Sequence, residues 1–153
     1  MPKLYVLVGV PASGKSTWVT NQIWAKDCKL VSTDIHVEQY AKSVGKTYTE
    51  VFKDYMPTAI ELMMTDVISA RKECKDIIWD QTSTNLASRA RKFHSLPEYY
   101  KIAVVFPTPV KSVLEARLAS RPGKIVPPEV VADMQQNFVM PTLEEGFDEI
   151  WNV

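Results

Sequence analysis

The sequence predicts an α/β domain: a parallel five-stranded sheet with helices on both faces and an arginine-bearing lid. Three observations predict it. Short apolar runs end at a glycine or an acid, a segment of helical spacing follows each, and the alternation continues almost to the C-terminus. Strands alternating with helices join in parallel through crossover connections, which bury both faces of the sheet. Ligands of such sheets gather at the carboxyl ends of the strands.

Taken in order, Leu4 to Val8 is a continuous apolar run ending at Gly9, the pattern of a fully buried strand. GKSTWVTNQIWAK follows as a helix, with Trp18, Val19, Ile23 and Trp24 on its apolar, core-facing side. KLVSTD predicts a second strand ending at Asp34. Thr47 and Glu50 have capping-box spacing and open a long helix. Along it Phe52, Tyr55, Met56, Ala59, Ile60, Met63, Met64, Val67 and Ile68 recur at three- and four-residue steps, a core-facing stripe. Pro57 interrupts that stripe and predicts a kink or two abutting helices.

DIIWD gives a third strand, Leu86 to Ser95 a basic helix, and YKIAVVF a fourth strand. Thr108 as cap and Pro109 as first residue predict a helix that stops at RPG. Pro128 and Glu129 open another, through about Phe138, and FDEIWNV supplies the fifth strand.

The 153 residues, 46% of them apolar, suit one domain, residues 1–153, around one core. Eighteen basic and eighteen acidic side chains cancel. That argues against sequence-independent duplex binding, which goes with a basic domain, and leaves room for a local basic groove. Cys28 and Cys74 read as buried thiols of a reducing compartment. No apolar run approaches the ~20 residues of a membrane span. A soluble, cytoplasmic domain without a membrane partner is expected, its oligomeric state open.

The chemistry begins at GVPASGKS, Gly9 to Ser16, which satisfies G-x-x-x-x-G-K-[ST] between a strand and a helix. Pro11, Ala12, Ser13, Gly14, Lys15, Ser16 and Thr17 form the expected triphosphate grip. Small residues let backbone N–H groups turn inward around phosphate oxygens, and the following helix adds its positive end. Lys15 reaches the β- and γ-phosphates, and the Ser16 hydroxyl holds Mg²⁺. No N-K-x-D element for reading guanine follows, which favours ATP.

Asp34, at a predicted strand end, is either the base that takes a proton from an attacking hydroxyl, a helix cap, or a solvated turn residue. His36 reads as a surface or capping histidine. Asp80 closes an apolar strand, placed either to hold magnesium-bound water or to orient an acceptor. Gln81, Thr82 and Ser83 follow as hydrogen-bonding candidates. Arg117 and Arg121 lie four apart with no acid at helical spacing, whereas Lys111 and Glu115 pair with each other. Two unpaired arginines suit a phosphoryl group in transit, and Pro122 and Gly123 suggest a hinged lid. Arg89, Arg91 and Lys92 form either a solvated basic face or a path for a nucleic-acid backbone.

With these residues in view, the chain resembles the 5′-hydroxyl polynucleotide kinase family. Pro11 to Trp18 is similar to that family's P-loop opening, Asp34 to its general base, and Asp80 to Ser83 to its DxTN turn, with serine for asparagine. Arg117, Arg121 and RPGKIVP resemble its lid, and ASRAR and PTLEEGF resemble further segments. The resemblance implies ATP as donor, Mg²⁺ as cofactor, and the 5′-OH end of a nucleic acid, DNA or RNA, as acceptor. It implies catalytic roles for Lys15, Asp34 and Arg121, ATP contacts from Arg117 and Arg121, and an acceptor pocket from Asp34, Asp80, Gln81, Thr82 and Val126. Two departures stand out. The family's D-x-D-G-T phosphatase motif does not occur, and Val37 stands where an arginine would bind the acceptor's 3′-phosphate. A kinase for a nucleoside, sugar or antibiotic hydroxyl is the alternative expectation, and an acceptor-independent ATPase or switch module the third.

Overall fold

The computed structural model describes residues 1–153 as a parallel sheet of strands β1 (Lys3–Val8), β2 (Lys29–Val31), β3 (Ile77–Trp79), β4 (Tyr100–Val105) and β5 (Glu149–Asn152). Their order is β2-β3-β1-β4-β5, all parallel. The helices are α1 (Lys15–Asn21), α2 (Thr33–Ser43), α3 (Tyr48–Lys72), α4 (Leu86–Ser95), α5 (Lys111–Ala119) and α6 (Pro128–Gln136). This is the P-loop NTPase architecture expected. From β1 the chain builds two strands to one side and then two to the other, so strand order reverses at the carboxyl end of β1, where a crevice must open.

The period-2 alternation of β1 divides the core. Leu4, Val6 and Val8 join Met63 and Val67 of α3 on one face, while Tyr5 and Leu7 join Trp18, Trp24 and Trp151 on the other. Both faces being covered, the central strands read as unbroken apolar runs. A third cluster, Val37, Ala41, Val51 and Ala59, welds α2 to α3. A fourth sets Val10, at the mouth of the P-loop, against Leu114 of α5 and Val131 of α6. The lid helices thus rest directly on the phosphate loop.

Several expectations are corrected. The helix after the P-loop ends at Asn21, and a 3₁₀ turn over Ile23–Asp27 takes over, leaving Ile23 in solvent. The second strand stops at Val31; Ser32 caps α2 by accepting from the Asp34 N–H, which puts Asp34 in the first helical turn. The Thr47–Glu50 capping box is present, but α3 runs unbroken through Pro57. Its buried stripe is Val51, Ala59, Met63, Val67 and Ala70, while Phe52, Ile60 and Ile68 are exposed. Thr108 caps nothing: α5 starts at Lys111 behind Val110. Cys74 is exposed and Cys28 half-buried. No helix is long and apolar enough to cross a membrane.

The basic helix α4 departs furthest from its reading. Arg89 is completely buried, and its guanidinium forks onto Glu145 with Nη2–Oε2 at 3.1 Å. Its Nη1 also donates to the Ser83 carbonyl at 2.9 Å. Lys92 is buried too, leaving Arg91 as the exposed member of the cluster. Neither a solvated basic face nor a backbone track describes this helix.

Candidate active site

The crevice at the end of β1 is a cavity of about 1350 Å³. Pro11 to Thr17, Asp34, Asp80, Gln81, Thr82, Arg117, Arg121 and Val126 line it, whereas Ser83, Arg91 and Lys92 line a separate cavity and Arg89 lines neither. The floor of the crevice is the P-loop. Ala12 (φ 64°) and Gly14 (φ 103°) are left-handed, which turns consecutive N–H groups to one side and forms an anion cradle. Gly9 must lack a side chain, because a Cβ there would meet Ser13 Oγ at 2.6 Å and Phe106 Cβ at 3.0 Å. The Gly9 N–H donates to Thr82 O at 2.9 Å, tying the cradle to the turn after β3.

Lys15 folds back over the loop and donates to the carbonyls of Gly9 and Val10 at 3.0 and 2.8 Å. Burial pushes its ammonium down to about 8; neighbouring Asp80 opposes this and Arg121 reinforces it. A buried ammonium whose hydrogen-bond partners are two carbonyls gains a full counter-charge from an arriving phosphate. Asp80 is raised above the usual carboxylate range, chiefly by burial, with Asp34 pushing the same way and Lys15 and the Ser16 hydroxyl opposing. Ser13 Oγ is buried in the loop with no hydrogen-bond partner.

The donor set fits Mg²⁺ in the manner of P-loop enzymes. Ser16 and Asp80 offer hard oxygens beside the cradle, and no cluster of three acidic, histidine or cysteine side chains stands ready to cage a cation. Such a site leaves most of the shell to phosphate oxygens and water, as this ion prefers.

Asp34 lines the same crevice as the cradle. The Tyr48 hydroxyl donates to its Oδ1 at 2.6 Å and Lys124 Nζ to its Oδ2 at 2.9 Å. Burial alone would raise this carboxyl, but Tyr48, Lys124 and Arg121 outweigh it and hold the group below its ordinary value. Tyr48 is pushed far up by burial and by the same carboxylate, so it remains a donor. Lys124 also reaches Glu38 at 3.3 Å and lies 4.5 Å over the Tyr48 ring. His36 turns away, bonding Asp66 at 2.7 Å, and does not compete for the role of Asp34. Val37 is fully buried between α2 and α3.

The lid is docked rather than loose. Thr49 donates its N–H to Gly123 O and accepts from the Ile125 N–H, at 3.0 and 2.8 Å. Arg121 lies beyond the end of α5 instead of on it, and forms no ion pair; Arg117 donates to Ala12 O at 3.2 Å. Lys124 and Tyr48 are the site residues that pattern reading missed. A signal existed: Lys124 follows Arg121 by three residues, a third lid cation without a local acid, and Tyr48 is the first residue after a helix cap.

A family model described as AAA domain matches residues 4–141. The chain belongs to this AAA-domain family. Among solved structures, a candidate kinase from Chloroflexus aurantiacus J-10-fl superimposes with a TM-score of 0.71 at 19% identity, covering 99% of this chain and 84% of its own. A chain in the Pnkp1/Rnl/Hen1 RNA repair complex gives 0.70 at 26% identity over 89% of this chain, which spans 43% of that longer one. A gluconokinase from Sinorhizobium meliloti 1021 gives 0.54 at 18% identity, covering 99% and 82%. The shared feature is the P-loop NTPase fold.

Proposed function

We propose that this domain transfers the γ-phosphate of ATP to the hydroxyl of a small molecule such as a nucleoside, sugar or related alcohol. The observation that carries the reading is the placement of Asp34. A carboxylate kept ionised by Tyr48 and Lys124 lines the same crevice as Lys15 and the unpaired Arg121. Nucleotide binding alone requires no such group.

In this reading the cradle and Lys15 grip the triphosphate. Asp34 accepts the proton of the acceptor hydroxyl as its oxygen bonds to the γ-phosphorus, and the bond to the β-phosphate oxygen breaks to release ADP. Arg121 meets the charge on the phosphoryl group in flight, and Arg117 braces the loop. Mg²⁺, held by Ser16 with Asp80 beside it, would neutralise phosphate charge. Asp80, Gln81, Thr82 and Val126 border the acceptor. Most of the rate gain comes from alignment and electrostatics.

A small acceptor is favoured by the surroundings of Asp34. Val37 is sealed in the core and Glu38 places an acid at the rim, while Arg89 lies outside the crevice and is committed to Glu145. That rim presents no row of free cations to a phosphodiester backbone. A polynucleotide 5′-hydroxyl acceptor is the second reading, supported by the 26% identity to a chain of an RNA repair complex. Labelled ATP offered with nucleosides, sugars and 5′-OH oligonucleotides separates them: labelled small-molecule product is expected, labelled oligonucleotide alone reverses the choice, and hydrolysis indifferent to every acceptor defeats both.

A further inference from the structure

A second cavity, about 860 Å³, opens between α3 and α4. Gln81 and Thr82 line both it and the P-loop crevice, so the two adjoin across the turn after β3. The Trp79 indole N–H donates to Gln81 Oε1 at 3.0 Å, which fixes that dividing wall.

The charge here is one-sided. Arg91, Lys92 and His94 contribute to the lining, and no carboxylate does. Lys92 is only 5% exposed, yet no acid pairs with it. Its Nζ donates to Ser88 O and Oγ at 3.4 and 3.2 Å and stands 5.3 Å from the centre of the Trp79 ring. Buried lysines are almost always paired, since an uncompensated ammonium is costly to desolvate. Burial brings Lys92 down to about 8, and Arg91 and Arg89 push the same way. Ser83 adds a second unmet group: its Oγ is buried with no partner, on a left-handed backbone (φ 47°) whose carbonyl Arg89 clamps. Methionine in place of Lys92 would pack as well without the desolvation cost. A buried ammonium without a counter-charge and a hydroxyl without a partner, on two residues lining one acid-free cavity, point to an anion.

We infer that this cavity binds a phosphate group, with Lys92 Nζ and the Ser83 hydroxyl as inner donors and Arg91 at the rim. The phosphate has two chemical sources: one carried by the acceptor, reaching past Thr82 while its hydroxyl faces Asp34, or free inorganic phosphate. The first source rests on the phosphotransfer reading; the site itself does not.

The test titrates inorganic phosphate calorimetrically into the full chain, with the P-loop saturated by Mg-ADP. Saturable binding is expected, weakened at least tenfold by Lys92→Met and several-fold by Arg91→Ala, with ADP affinity unchanged in both. Phosphate lodged in the P-loop would not respond to either variant. Wild-type affinity in both variants, or no saturable binding by the wild-type chain, overturns the inference. If Lys92→Met fails to fold, the exposed Arg91→Ala decides alone. Ribose 5-phosphate binding more tightly than inorganic phosphate, with the gain lost in Lys92→Met, assigns an acceptor's phosphate; equal affinities assign free phosphate. These are equilibrium measurements, so absence of turnover would count against phosphotransfer and leave the site standing.

Discussion

Lys124 of the lid and Asp34 of α2 are joined by a 2.9 Å ion pair, formed 90 residues apart in the chain. The contact couples two properties, the position of the lid and the ionisation of the carboxylate. With Tyr48 it holds Asp34 below its ordinary value against the opposing pull of burial. Removing either partner therefore raises the Asp34 value, and a base that must be ionised is lost sooner on acidification. Tyr48→Phe and Lys124→Met are each expected to move the acid limb of the kcat/KM profile to higher pH. Pre-steady-state or steady-state pH profiles check this; an unmoved limb in both would remove Asp34 as the titrating base.

Phosphoryl transfer should depend on Asp34 and Arg121 far more than nucleotide binding does. Asp34→Asn keeps the shape and removes the proton acceptor, with an expected loss of about 10²–10⁴-fold in kcat. Arg121→Ala removes a guanidinium that forms no ion pair within the chain, with a loss of about 10³-fold or more. ATP affinity measured by titration should change by less than about tenfold in both. Normal turnover by either variant retires that residue's role.

Arg89 is a structural residue in a basic-looking helix. Completely buried, it satisfies the Glu145 carboxylate and the Ser83 carbonyl together. Arg89→Met strands an acid that is nearly buried, at a cost of about 3–5 kcal/mol. Pairing it with Glu145→Gln should recover much of that loss. Denaturant melts of the single and double variants measure the coupling, and simple additivity would show that the pair does not act as a unit.

Periodicity and turn chemistry made the strands legible, because β1, β3 and β4 are buried on both faces and must be apolar throughout. The P-loop was legible because its glycines answer backbone demands rather than side-chain choices. What escaped was set by distant contacts. Nothing near Arg89 in sequence reveals Glu145, so a buried ion pair reads as a basic surface. Asp34 moved from a strand end to a helix start because Ser32, two residues earlier, supplies the cap. Pro57 sits within α3 without ending it, since packing of Val51, Ala59, Met63 and Val67 against two clusters holds both halves in line. Tyr48 and Lys124 became site residues through the docking of the lid on α3; their local signals, a third lid cation and a residue behind a helix cap, do not reveal that the two meet at Asp34.

Lys15 should show binding and stability pulling in opposite directions. Its folded-state value near 8 lies below the ordinary lysine value, mainly through burial. The folded chain thus binds this proton less readily than the unfolded chain does. Between about pH 8 and the ordinary lysine value the unfolded state carries more protons, so this group makes stability rise with pH there. Below about pH 8 the cost of the buried charge is fully present. Lys15→Met removes that cost and should stabilise the fold by roughly 1–3 kcal/mol at pH 7, while ATP binding is lost by two orders of magnitude or more. The gain should shrink as pH rises above 8, because the wild-type lysine then sheds its proton. Thermal melts of both chains from pH 7 to 10, with ATP titrations alongside, test the pair of effects. A variant less stable than wild type at pH 7 would mean that the two carbonyl hydrogen bonds of Lys15 outweigh its desolvation.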